Sequence, residues 1–201
     1  MTKNRTMLQA GFSMIEVMVA LVILMIGLLG LAGLQVQALN AELESYQRVQ
    51  AIILLHDMVD RFSNNRSVPS CYAFTTNTAT GAPFLGTDGL DTATLSCSAG
   101  TAAQQALALS DLAAWDTALR GSAGSNVGAM IGAKGCIVIE DATNLIYRIS
   151  VAWQGKLNTI DPATNDPVLG TNTKLTCGKG HYGDERMRRI VSTTVRIGIL
   201  N

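Results

Sequence analysis

Glu16 is the only charged side chain between Phe12 and Leu34, in a run otherwise made of apolar residues, glycine and one serine. A carboxylate in such a segment is expensive: insertion scales put an acidic residue at about 2.5–3.5 kcal/mol at a bilayer centre, and less toward the ends. Its chemistry is therefore electrostatic, and it needs either water or a cation. A plain anchor would let Glu16 snorkel to the interface, whereas a packed assembly of helices would offer it a positive partner. Gly11 stands five residues before it, and the leader Met1–Gly11 carries Lys3 and Arg5 and no acidic residue. By the positive-inside rule this places the N-terminus in the cytoplasm and everything beyond residue 35 on the far side of the membrane.

The other reactive types are sparse. Cys71, Cys97, Cys136 and Cys177 all follow the apolar run. An even number in an oxidising compartment points to two disulfides, with three possible connectivities. No C-x-x-C pair suggests a zinc ribbon or a thioredoxin site. His56 reads as a helix edge residue and His181 as part of a charged loop, His-Tyr-Gly-Asp-Glu-Arg. No G-x-S-x-G, H-E-x-x-H or P-loop occurs, so no catalytic residue, cofactor or metal is assigned and the chain does not read as an enzyme. Asp161-Pro-Ala-Thr-Asn-Asp166 clusters oxygen ligands, but it lacks the spacing of an EF-hand loop, and Asx-Pro turn chemistry explains the same residues. Arg186, Arg188 and Arg189 read as the solvated start of a strand, with a subunit contact as the alternative. Asn65-Arg-Ser67 matches a glycosylation sequon. Zero net charge and 5% aromatic content leave nothing to attract nucleic acid.

The elements that must carry these residues follow from periodicity. Residues 12–35 are long enough to cross a membrane, which takes about 20 residues. Gly27, Gly30 and Gly33 form a small-residue strip that lets helix backbones approach closely. From 36 to 63 the pattern becomes amphipathic, with Val36, Leu39, Leu43, Tyr46, Val49, Ile52, Leu55, Val59 and Phe62 at three- and four-residue steps. Asn64-Asn65 and Pro69 stop this helix. Residues 64–103 read as a long loop bracketed by Cys71 and Cys97, stapled rather than free. A second helix fits 104–119, where Ser110 or Asp111 can cap a start within the run. The period then changes to two, giving strands at 127–131, 136–140, 145–153 and 189–199, with a hairpin at 141–144 and a polar excursion over 154–188. About four antiparallel strands covering the apolar stripe of the first helix make an α+β fold. The organisation expected is a leader over 1–11, the membrane half of helix 1 over 12–35, its amphipathic half over 36–63, and a globular domain over 64–201.

Gly11, Phe12, Ser13 and Glu16, as G-F-S-x-x-E before an apolar helix, resemble the class III signal of type IV prepilins. The resemblance implies cleavage between Gly11 and Phe12 by a prepilin peptidase, N-methylation of Phe12, and an assembly role for Glu16. The order of a D-L-x-x-W helix, a G-C-I strand, a Y-R-I-S-V-A-W strand and a C-terminal strand is similar to that of V-type minor pilins, or type IV pilus modification proteins. It implies a pilin-like fold and a structural subunit of type IV pili, supporting adhesion and twitching motility. The implied location is the inner membrane, with a periplasmic globular domain, and then the filament. The implied partners are the inner-membrane assembly platform, the major pilin, other minor pilins and a tip adhesin. Pilins commonly carry proline near Gly33, so a glycine there is a departure from the pattern. The pilin plan also has a variable loop pinned by a disulfide, which matches a Cys136–Cys177 bond. If sequence neighbours close first, Cys71 pairs with Cys97. A minor pseudopilin of a type II secretion system shares every N-terminal feature, and a membrane-tethered periplasmic enzyme or binding protein is the reading from another class.

Overall fold

The computed structural model describes residues 13–121, 130–162, 165–166, 170–171 and 175–198. Helix α1 runs over Met14–Asn64, 51 residues without an internal proline. The Ser13 carbonyl accepts from the amides of Glu16 and Val17, and Glu16 lies in the first turn, where the helix dipole favours a negative charge. Arg61 lies in the last turn, where a cation is favoured, and the Asn65 amide closes back on the Arg61 carbonyl. The chain divides into two compact units, Met1–Leu43 and Glu44–Asn201.

The described part of the first unit is helical from Met14 onward, and its apolar side chains are exposed. It meets the length and composition of a membrane-crossing helix.

In the second unit α1 buries Ala51, Leu54, Leu55, Met58 and Phe62. This is a different stripe from the expected one: Leu55 and Phe62 belong to both, but Tyr46 and Val49 stay 51% and 54% exposed. The helix is apolar on more than one face, so three- and four-residue steps fit two stripes, and only the partner surface selects one.

That surface is an antiparallel sheet in the order β1-β2-β3-β6, built from β1 (Leu85–Gly86), β2 (Lys134–Asp141), β3 (Ile146–Gln154) and β6 (Arg188–Arg196). A short hairpin, β4 (Asn165–Asp166) with β5 (Gly170–Thr171), lies in the excursion between β3 and β6. Ile137, Tyr147, Ile149, Val151 and Trp153 join the α1 stripe in one core. Helix α2 (Ala102–Leu119) adds Leu112, Trp115 and Leu119, and the Trp115 indole N–H donates to the Leu54 carbonyl at 2.9 Å. Thr101 and Gln104 close a capping box at its start. Asp111 is therefore mid-helix and buried rather than a cap. The strand expected at 127–131 lies mostly outside the described residues, and Met130 and Ile131 are in loop and turn. The first strand of the sheet is instead β1, inside the stretch read as loop. Two residues show no period, and β1 is held by pairing with β2 and by the Asp116 carboxylate, which accepts from the Gly86 amide at 2.6 Å. Between β2 and β3, Asp141 Oδ1 accepts from the amides of Thr143 and Asn144, which closes the hairpin.

Candidate functional site

The residues with chemical potential fall into two groups, one on each unit. On the first, Glu16 is an exposed acid among exposed Met14, Ile15, Val17 and Met18, in the first turn of α1. Gly27, Gly30 and Gly33 follow on the same helix, and a Cβ added at any of them would meet nothing within 4 Å. Three-residue steps rotate back by about 60° each, so the glycines form a spiralling open track rather than a straight groove. Gly11 and Phe12, the expected cleavage and methylation residues, lie outside the described residues. The arrangement is an unshielded apolar rod with one acid near its start. It performs no bond chemistry by itself. It can pair a cation brought by another chain and accept close backbones along the glycine track.

On the second unit several charged residues are tied into ion pairs. The arginine trio is the clearest correction. Arg188 is 0% exposed, paired with Glu185 at 2.6 Å and Asp161 at 3.2 Å, and it donates to the Leu175 carbonyl at 2.8 Å. Arg189 pairs with Glu44 on α1, and Arg186 with Asp184 at 2.8 Å. A cluster of like charges in sequence is thus divided among four ion pairs, because the excursion brings Asp161, Asp184 and Glu185 and α1 brings Glu44. Arg186 bonds to the Asp184 carboxylate and holds its pKa below the ordinary value. Asp161, read as a turn or a cation ligand, serves Arg188; Thr164 lies outside the described residues. The sequon asparagine, Asn65, is buried, and its amide donates to the Gln104 carbonyl at 2.9 Å, so this nitrogen is engaged. His56 is exposed, and His181 stacks edge-on against Phe84 with centroids 4.7 Å apart.

Sequence reasoning missed the buried polar groups. Asp111 accepts from the Tyr72 hydroxyl at 2.7 Å and from Arg61 at 3.1 Å, tying together α1, α2 and the turn at Pro69–Tyr72. Burial first, and the bond to Asp111 second, raise the Tyr72 phenol above its ordinary value. Lys134 is buried, donates to the Thr87 carbonyl at 2.6 Å, and lies 4.5 Å from the Phe84 ring centroid and 5.6 Å from that of Tyr182. Burial lowers its pKa. A charged residue inside a strand pattern gives no sign of which face it takes; only the aromatic residues that surround it do. The disulfides are Cys71–Cys97 and Cys136–Cys177, with Cα separations of 5.2 and 5.8 Å. A groove of about 400 Å³ on the outer face of the sheet is lined by Val138, Glu140, Arg148, Thr78 and Thr176, but Arg148 and Glu140 already pair with each other across it. Among the described residues no group of three or more His, Cys, Asp or Glu side chains is placed to hold a metal ion.

Residues 6–32 match the family model of the prokaryotic N-terminal methylation motif, and residues 33–117 match the one described as type IV pilin Tt1218. The two matches abut within α1 and together run from the leader through most of α2. No curated protein and no solved structure gives a match.

Proposed function

We propose that this chain, a type IV pilin carrying the class III signal, is a minor pilin: a structural subunit inserted into, or capping, an envelope-spanning filament. A prepilin peptidase cleaves it after Gly11 and methylates Phe12. Until assembly it stays in the inner membrane, with its N-terminus cytoplasmic and the globular unit periplasmic. The minor role is favoured by the D-L-x-x-W pattern, whose Asp111, Leu112 and Trp115 are all buried in the core beside α1 and β2. The assembly platform, the major pilin and other minor pilins are the partners this reading calls for, with a tip adhesin at the filament end.

The observation that carries the reading is a lone acid in the first turn of α1, at the start of a run to Leu34 that is otherwise apolar and exposed. Cleavage before Phe12 creates an amine a little over one turn ahead of Glu16. In a core of packed helices the amine of one subunit meets Glu16 of another. Each charge is costly in an apolar medium and tolerable once paired, and the pairing favours one register over slippage. Methylation keeps the charge on the amine.

The test has two parts. N-terminal sequencing of the membrane-bound protein begins at Phe12; a start at Met1 or beyond Leu34 overturns the processing step. Glu16→Ala still inserts and is still cleaved, because the helix has become more apolar, but it enters the filament or its priming complex less than wild type. Equal incorporation returns Glu16 to a snorkelling anchor residue.

A further inference from the structure

Two exposed aliphatic side chains lie on the loop that follows β3, and a third, Ile131, lies on the segment bonded to the end of that strand. Leu157 is 56% exposed, Ile160 72% and Ile131 45%. Backbone bonds pin the segments that carry them: the Gln154 amide donates to the Ile131 carbonyl at 2.9 Å, and the Thr159 amide to the Arg186 carbonyl at 2.8 Å. Arg189 fixes the loop from beneath, donating to the Leu157 carbonyl at 2.6 Å and to the Thr159 hydroxyl at 2.8 Å. Gly155 is what lets it pass, since a Cβ there would meet the Arg189 guanidinium carbon at 2.7 Å. The loop is thus a built feature that presents Leu157 and Ile160 outward, with exposed Lys156 beside them.

The same Arg189 pairs with Glu44. Glu44 is the first residue of the globular unit and follows Leu34, the end of the apolar run, by ten residues. The aliphatic loop therefore lies at the end of the globular unit from which the chain departs toward its apolar segment. Elsewhere in the described loops and strands of this unit large apolar side chains are mostly buried, so their outward placement here asks for a partner. Aliphatic side chains next to a lysine suit the boundary between lipid headgroups and acyl chains, where apolar area and attraction to anionic headgroups act together.

We infer that the loop over residues 155–161 rests on the lipid surface, with Leu157 and Ile160 in the headgroup layer of an anionic bilayer and Lys156 among the phosphates. It is a second, shallow membrane contact that sets how the globular unit stands on the membrane before assembly. The inference rests on the reading of the apolar run as a membrane anchor.

The test uses the full chain in vesicles of phosphatidylethanolamine and phosphatidylglycerol, carrying Leu157→Trp or Ile160→Trp. The native indoles of Trp115 and Trp153 are buried and supply a constant background. Leu107→Trp is the control: it is an exposed position on α2, whose first turn meets the opposite end of α1 through the Asn65–Gln104 bond. Lipids brominated near the headgroup quench the added emission at 157 and 160, lipids brominated near the chain end quench it less, and neither affects 107. If the vesicles float the protein but the emission at 157 and 160 matches that in unbrominated lipid, the surface contact is wrong and the anchor stands. If the same residues are unquenched and instead cross-link to a second pilin, the loop is a subunit interface. If no variant floats, the anchor reading fails and takes the inference with it.

Discussion

One helix serves two solvents. From Met14 to Leu43 its apolar side chains are exposed, whereas from Glu44 to Asn64 the same kinds of residue are divided between a buried stripe and a wet face. Composition barely separates the halves at their junction. What separates them is whether polar residues interrupt the apolar pattern: Glu44, Arg48, Asp57, Asp60 and Arg61 break it in the second half, and between Glu16 and Glu42 no charged residue does so. From Val17 to Leu34 the first half is therefore apolar all round, as a segment must be when lipid or other helices surround it. The second can bury only one side. Its glycine content differs in the same sense: three open glycines lie in the first half and none in the second, which must hold its shape against a sheet.

The largest expected effect comes from truncating the buried stripe. Phe62 is fully buried between Tyr72 and Tyr147, with ring centroids 5.4 and 5.1 Å away. Phe62→Ala removes both ring contacts and leaves a cavity, a loss of about 3–5 kcal/mol. Leu24→Ala, at an exposed position in the first half, leaves unfolding of the globular unit unchanged. Urea titration of the detergent-solubilised chain, read by near-ultraviolet circular dichroism, separates the two. Equal losses would mean that the halves do not differ in the way described.

The pH dependence sharpens the contrast. Burial holds the phenols of Tyr72, Tyr147 and Tyr182 above their ordinary value of 10.0. They stay neutral in the folded unit and ionise first in the unfolded chain. The stability they confer is complete below about pH 10 and is lost as the pH rises beyond it. Lys134 acts in the opposite direction: burial disfavours its ammonium form, and that penalty fades as the pH climbs toward its ordinary 10.5. Three phenols against one amine give a net fall in the unfolding midpoint in alkali. Tyr147→Phe flattens the alkaline slope while leaving neutral stability nearly unchanged. The segment from Ser13 to Leu43 contains no tyrosine or lysine, so its helicity is indifferent over the same range. A midpoint that rises in alkali would contradict the assignment of these phenols to the core.

Much of this architecture could be read from the sequence. The long helix, the apolar run with Glu16, the second helix and the three long strands were all legible, because each repeats a period over enough residues to be seen. The remainder was hidden for identifiable reasons. Strand β1 is two residues long and has no period. The face that α1 buries was ambiguous because both stripes are apolar. Asp111, which looks like a cap in sequence, is claimed by Tyr72 and Arg61 from 39 and 50 residues away. Arg188 looks solvated until the excursion folds over it and delivers Asp161. At the candidate site Glu16 was conspicuous, because a charge in an apolar run stands out, whereas Leu157 and Ile160 were not, since exposure leaves no mark on a sequence.

The smallest expected effect is at the glycines, and it tests the comparison most directly. Gly135 on β2 and Gly30 on the first half of α1 differ in what an added methyl would meet. At Gly135 it would run into the Trp115 ring and Leu119; at Gly30 it meets nothing within 4 Å. Gly135→Ala should therefore destabilise the globular unit by about 1–3 kcal/mol, the usual range for an overfilled core. Gly30→Ala should raise helix stability in the isolated chain by about 0.5–1 kcal/mol, because alanine loses less backbone freedom than glycine. Thermal melting of the detergent-solubilised protein should show the first loss, and helicity the second gain. If the glycine track is there to let neighbouring helices approach, the more stable Gly30→Ala helix should nevertheless enter filaments less well than wild type. Unchanged or improved incorporation would reduce Gly30 to an ordinary membrane-helix glycine.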